Sequence, residues 1–260
     1  MSFNSLSFVL FFIVILVLYY SIPYRFRWAL LLFGSYLFYM FWKIEYALLL
    51  ALSTLVTYVC GLQIGRTPYN SKKKLYLILS IVFNIGLLFG FKYLNFFNES
   101  LRWLFGKFSL DYNIPILKIL LPIGISFYVL KSISYIIDVY RGRLEPERHI
   151  GFFALYVSFF PQLLSGPIER AANLLPQLKQ KADFNYEGFT DGFRLILWGL
   201  FKKVVIADRL ALFVNQIYSI LYDYLGMPLI ISAYFFAFQI YCDFSGYSDI
   251  ATGIAKTMGY

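Results

Sequence analysis

Residues Tyr241-Cys-Asp-Phe-Ser-Gly-Tyr-Ser-Asp249 follow directly on the apolar run from Leu229 to Ile240. This block sets two carboxylates, four hydroxyl-bearing side chains and a glycine against a stretch suited to a membrane interior. A carboxylate at membrane depth costs roughly 2.5–3.5 kcal/mol on insertion scales, so such groups face a cavity, a partner or a substrate path. The block therefore predicts a membrane protein with a functional interior. Asp243 and Asp249 are six residues apart, so on one helix they point to different faces. Asp243 with Tyr247, and Ser245 with Asp249, are i,i+4 pairs within hydrogen-bonding reach. Gly246 between them permits a break or a close helix approach.

Composition extends this reading to the whole chain of 260 residues. Hydrophobic residues make up 60% and charged residues 14%, with a mean hydropathy of +0.67, far from the soluble average. The apolar residues come in blocks, most of them long enough for a hydrocarbon core of about 30 Å, which needs about 20 helical residues. The predicted fold class is an all-α polytopic membrane protein. Aromatic residues at 22% exceed what lipid-facing helices require, placing many Tyr and Phe at interfaces or between helices. The net charge of +9 sits in short loops between apolar segments. That is the pattern of cytoplasmic loops, and no aromatic-interleaved basic patch argues for nucleic acid. Cys60 and Cys242 lie in apolar stretches and offer neither a disulfide framework nor a metal site. The first apolar run, Phe8 to Tyr20, lacks the basic flank and cleavage site of a signal peptide and reads as a retained helix.

Five spans are predicted, at 4–22, 28–42, 44–64, 75–97 and 114–137. With the N-terminus outside, nine of the intervening Lys and Arg residues are cytoplasmic and three are not, so that orientation is expected. Beyond Arg148 the pattern changes. The run Ile150 to Leu164 is short and contains Pro161, which predicts a re-entrant or half-buried segment lining a cavity. Phe193 to Leu212 carries Lys202, Lys203, Asp208 and Arg209 inside an otherwise apolar helical pattern. Glu169 to Phe189 reads as a loop with one amphipathic helix.

Four blocks in the second half carry a family resemblance. Leu121-Pro-Ile-Gly-Ile-Ser-Phe-Tyr128 runs on to Ser132-Ile-Ser-Tyr-Ile-Ile-Asp-Val-Tyr-Arg-Gly142. Phe159-Phe-Pro-Gln-Leu-Leu-Ser-Gly-Pro-Ile-Glu-Arg170 precedes Leu175-Pro-Gln-Leu178. Then come Gly199-Leu-Phe-Lys-Lys-Val-Val-Ile-Ala-Asp208 and the segment Phe238 to Ala255 around the opening block. Together they resemble the membrane-bound O-acyltransferase (MBOAT) family, in its bacterial alginate O-acetyltransferase-like branch. The likeness spans residues 121–260, with 1–120 alike in hydropathy only, the whole forming one membrane domain, 1–260.

The resemblance implies a multi-helix fold around an interior chamber in the cell membrane. An acyl group, usually acetyl, would pass from a cytoplasmic thioester such as acetyl-CoA to an exported or cell-surface polysaccharide such as alginate. Extracytoplasmic partner proteins would assist. It also implies a chamber histidine in a Trp-His-Gly segment and another in an Arg-Trp-His segment. Neither occurs in residues 1–260, so the expectation is an incomplete, N-terminal portion of the family fold with no catalytic residue of its own. His149, the single histidine, matches neither and reads as interfacial.

Candidate chamber-lining residues are Gln239, Asp243, Ser245, Tyr247, Ser248, Asp249 and Lys131, the last expected to face the interior because a buried Lys needs a partner. Asp138 lies two turns further on the same face. Gln162, Glu169 and Arg170, with Lys202 and Lys203, are candidates for the donor entrance, Arg170 near a donor phosphate. Two other classes fit part of the pattern. A non-catalytic scaffold or truncated pseudo-enzyme would explain the missing histidines. A transporter would explain broken helices, but paired interruptions in two related halves are not visible.

Overall fold

The computed structural model describes residues 3–107, 122–163, 166–167, 169–220 and 224–260. Every regular element among them is helical. In order these are α1 (Leu6–Ser21), α2 (Tyr24–Met40), α3 (Ile44–Arg66), α4 (Asn70–Leu88), α5 (Leu94–Lys107) and α6 (Ile125–Tyr140). They are followed by α7 (Ile150–Ser158), α8 (Phe160–Leu163), α9 (Ala171–Lys179), α10 (Tyr186–Leu200), α11 (Asp208–Ser219) and α12 (Met227–Thr257). Wide π-helical turns, Phe89–Tyr93 and Phe201–Ala207, join α4 to α5 and α10 to α11 without a break. Three of these continuous helices are long and apolar enough to cross a membrane: Ile44–Arg66, Asn70–Lys107 and Met227–Thr257. The chain is an all-α polytopic membrane protein.

The helix ends follow local chemistry. Ser5 Oγ accepts the Phe8 N–H at 3.2 Å to open α1, and Asn185 Oδ1 accepts the Glu187 N–H at 3.0 Å to open α10. Gly124, at φ 80°, supplies the left-handed turn that starts α6. The expected span 114–137 therefore yields a helix beginning at Ile125, and its first part, 114–121, lies outside the described residues. The expected span 75–97 is longer in fact. The helix starts earlier, at Asn70, through the polar and mostly exposed residues Asn70 to Lys74, and the π turn carries the chain on into α5.

Two compact units emerge. The first comprises Met1–Trp42, Phe159–Ile168 and Pro176–Tyr260, and the second Lys43–Ser158 with Glu169–Leu175. In the second unit α3, α4 and α6 pack together. Asn84 of α4 is fully buried and fully engaged. Its Oδ1 accepts from Ser53 Oγ at 2.7 Å, while its amide donates to Thr57 Oγ1 at 3.0 Å and the Ser80 carbonyl at 2.9 Å. Gly61 of α3 faces the Tyr135 ring of α6, where a Cβ would come within 3.0 Å. Buried Tyr135 also accepts the Glu147 N–H at 2.9 Å, fixing the loop ahead of α7.

In the first unit, Phe3, Phe8, Phe11 and Phe38 make an aromatic core with Phe160. Ser35 Oγ accepts the Phe160 N–H at 3.1 Å and so starts α8 after the interruption at Phe159. The closest packing is between α10 and α12. A Cβ on Gly192 would lie 2.7 Å from the Gly253 carbonyl oxygen, and one on Gly199 2.6 Å from that of Gly246. The two glycine pairs are one heptad apart on each helix, so the backbones run in contact for two turns. Gly246 therefore permits close approach without breaking α12. The buried face of α10, Gly192 and Gly199, resumes at Ala207, the last residue of the π turn, and at Val214 of α11. The step from 199 to 207 is eight residues rather than seven, the extra one being taken up by the wide turn.

Candidate functional site

The opening block lies on α12, where it faces the π turn Phe201–Ala207 across the Gly199–Gly246 contact. Close approach of the two backbones brings long side chains from one helix over short ones on the other. Lys202 Nζ donates to Asp249 Oδ2 at 2.7 Å and to Ser245 Oγ at 2.9 Å, and lies 5.6 Å from the Trp198 ring centroid. Lys203 Nζ hydrogen-bonds Asp243 Oδ1, pairs with Asp208 Oδ1 at 2.8 Å and lies 5.2 Å from the Tyr247 ring centroid. Tyr247 in turn packs on buried Phe3, with centroids 5.7 Å apart.

Each expected i,i+4 pair is thus spanned by a lysine. Ser245 and Asp249 share Lys202, while Asp243 and Tyr247 share Lys203. Two lysines meet three aspartates, leaving one formal negative charge. The lysine side chains are only 16% and 15% exposed and Asp249 keeps 23%, so the Lys202–Asp249 pair is largely desolvated and has more at stake than a surface pair. Asp243 and Asp208, by contrast, stay 42% and 41% exposed. Both ammonium groups are engaged by carboxylates. Gln239 stands one turn N-terminal of Asp243, and its buried Oε1 has no hydrogen-bond partner among the described residues. Ser248 is half-buried on the same helix.

The remaining candidates fall elsewhere. Gln162 is buried on α8 in the first unit, whereas Glu169 and Arg170 belong to the second. The Arg170 carbonyl accepts the Asn173 and Leu174 N–H groups and opens α9, while its side chain is exposed. Ser165 and Ile168 of that motif lie outside the described residues. Lys131 is fully buried in the second unit, with Nζ 3.3 Å from the Tyr156 carbonyl oxygen and 5.4 Å from its ring centroid. Tyr156 donates through its hydroxyl to the Glu169 carbonyl at 3.3 Å. Asp138 is 6% exposed, and its Oδ2 is buried without a hydrogen-bond partner among the described residues. His149 Nδ1 accepts the Gly151 and Phe152 N–H groups at 3.1 and 3.3 Å, so the imidazole caps the first turn of α7. Among the described residues no cluster of His, Cys, Asp or Glu could hold a metal ion.

Sequence reasoning missed Trp198, Phe3, the role of Asp208 and three of the four packing glycines. Asp208 stands five residues after Lys203, a spacing that an α-helix turns away and only a π turn stacks. The glycines did leave a signal, since Gly192 with Gly199 and Gly246 with Gly253 repeat at the same interval.

No family model matches the chain. Over 262 aligned residues it is 38% identical to a probable alginate O-acetylase of Pseudomonas putida, covering 100% of this chain and 53% of that protein. Identity to the probable alginate O-acetylase of Pseudomonas aeruginosa is also 38%, over 100% of this chain and 50% of that one. A peptidoglycan O-acetyltransferase of Helicobacter pylori is 34% identical over 86% of this chain and 46% of its own length. The chain spans about half the length of the curated relatives it matches.

Proposed function

We propose, from a chain that belongs to the membrane-bound O-acyltransferase family, that the protein transfers an acetyl group to a hydroxyl of an exported or cell-surface polysaccharide. One observation carries this reading: identity of 38% across the whole chain with proteins named for alginate O-acetylation. Relatives named for peptidoglycan O-acetyl transfer and teichoic acid D-alanyl transfer broaden the acceptor class without changing the reaction class. The donor is a cytoplasmic thioester, acetyl-CoA being the simplest. The site lies in the cell membrane, with the N-terminus outside and extracytoplasmic partner proteins receiving or presenting the glycan. The bias of basic residues toward one set of loops supports that orientation.

The reaction needs the sugar hydroxyl to lose its proton as its oxygen attacks the thioester carbonyl and the C–S bond breaks. A hydroxyl is a poor nucleophile at neutral pH, so a positioned base is required. Asp243 and Asp249 are held by Lys203 and Lys202, which suits a fixed polar wall better than proton transfer. Their task in this reading is to form one side of the acyl-transfer chamber together with Ser245, Tyr247, Ser248 and Gln239. Lys202 and Lys203 serve there as positioning residues.

Disruption of the coding gene in its own host tests the proposal. Base-labile acetate on purified exopolysaccharide and cell-wall glycan, read by NMR, should fall and return on complementation. Unchanged acetyl content on every envelope glycan would overturn the reading.

A further inference from the structure

The second unit carries a concave site remote in sequence from the lysine–aspartate cluster. At the C-terminal end of α3 a cavity of about 570 Å³ is lined by Tyr58, Leu62 and Arg66 from the helix and by Glu145, Pro146 and Arg148 from the loop ahead of α7. Besides the Tyr135–Glu147 hydrogen bond, two contacts hold the loop against the end of α3. Tyr58 donates its hydroxyl to the Arg148 carbonyl at 2.5 Å, and Pro146 packs onto Gly65 so closely that a Cβ there would lie 2.4 Å from Cγ. Two guanidinium groups, 82 positions apart in the chain, thereby line one cavity. Among the described residues neither takes part in an ion pair. With Glu145 the lining keeps one formal positive charge.

The face of α3 below the cavity is apolar and open. Leu48, Leu52, Leu55 and Val59 are 70%, 45%, 48% and 46% exposed. With Leu62 and Arg66 they follow steps of four and three residues, a single stripe along the helix. α3 is long and apolar enough to cross a membrane, and in a membrane-spanning α3 this stripe would face hydrocarbon and lead up to Arg66, beside Arg148.

We propose that this is a bound-phospholipid site. Arg66 and Arg148 grip the phosphodiester of a glycerophospholipid, Glu145 accepts a hydrogen bond from the hydroxyl or ammonium end of its headgroup, and one acyl chain lies along the Leu48–Val59 stripe. Arginine suits this task because its planar fork binds phosphate oxygens in pairs. A soluble nucleotide or free phosphate would use the arginines but not the stripe. The inference needs only that α3 spans the membrane, so it stands or falls independently of acyl transfer.

Native mass spectrometry of the full chain in mild detergent, loaded with dioleoylphosphatidylglycerol, is the test. One lipid should be retained per chain, and dioleoylglycerol, which lacks the phosphate, should not. Arg66→Gln with Arg148→Gln should lower retention by about tenfold, the scale of losing one or two charge-assisted contacts. Arg66→Lys with Arg148→Lys, which keeps charge and fold but loses the fork, should fall between. Arg141→Gln with Arg143→Gln, in the same loop but outside the cavity, should leave retention unchanged. Equal loss in that control, full retention in the glutamine variant, or retention of dioleoylglycerol would overturn the proposal. Displacement of the lipid by inorganic phosphate or coenzyme A would do the same, reassigning the cavity to a soluble phosphate.

Discussion

Lys202 reaches across from α10's π extension to Asp249 on α12 at 2.7 Å, 47 residues further along the chain, and holds Ser245 with the same ammonium group. Lys203, its neighbour in sequence, turns to Asp243 and Asp208. Adjacent lysines thus fasten two aspartates that lie six residues apart on different sides of α12.

Asp249→Asn should destabilise the protein by about 2 kcal/mol, less than the 3–5 kcal/mol of a fully dry pair because Asp249 keeps 23% of its side-chain surface. Adding Lys202→Met should restore part of the loss by removing the uncompensated charge. Thermal unfolding in detergent reads both. A double variant less stable than the single one would show that the lysine does more than answer this carboxylate.

Asp243→Asn should separate function from folding. Lys203 retains Asp208 at 2.8 Å, so the charge stays paired and the fold should survive. Polysaccharide acetylation should nonetheless drop about tenfold or more, as for loss of one positioned polar group at a reacting site. Asp208→Asn, on the other side of the same lysine, should have the smaller effect on acetylation. Acetyl content measured at equal protein level decides, and full activity of Asp243→Asn would remove that residue from the proposed chamber wall.

Gly199→Ala or Gly246→Ala should cost about 1–3 kcal/mol or block folding, since the added methyl lands within 2.6–2.8 Å of a backbone carbonyl that cannot swing away. Gly86→Ala meets nothing within 4 Å and should be neutral or stabilising by about 0.5–1 kcal/mol through helix propensity. Unfolding midpoints and yield of monodisperse protein check the contrast.

Asn84→Leu should destabilise the second unit by about 1–3 kcal/mol. It deprives Ser53 and Thr57 of their partner inside a dry interface, and interhelical hydrogen bonds of this kind contribute about 0.6–1.7 kcal/mol each. Protease protection of α3 and α4 should weaken in parallel.

Much of the fold could be read from hydropathy, because helix length against membrane thickness is a one-dimensional property. Placing Asp243 and Asp249 in a membrane segment needed only the apolar run before them, while Gly246 left a break between them open. What could not be read was the partner. Nothing in a linear pattern ties Lys202 and Lys203 to acids about 40 residues later. Their pairing depends on how closely α10 and α12 approach. That closeness rests on glycines whose sevenfold spacing is in the sequence but has meaning only once the two helices lie side by side. Asp208 was hidden for a different reason, as its five-residue separation from Lys203 has meaning only in a turn wider than the α-helix.

That wide turn also sets what lengths of chain this region can accept. The Asp208 N–H bonds the Lys203 carbonyl, and the buried face jumps from Gly199 to Ala207 before resuming its sevenfold step to Val214. Remove one residue among Val204, Val205 and Ile206, and an ordinary α-helix would carry the same buried face in unbroken register. Lys203 would then meet its acid at a four-residue spacing, where helical ion pairs also form. Add one residue instead, and α11 would present the wrong side to α12 with no slack left to absorb it. The segment is therefore asymmetric toward insertion and deletion: it can lose a residue, but it has already gained the one it can hold.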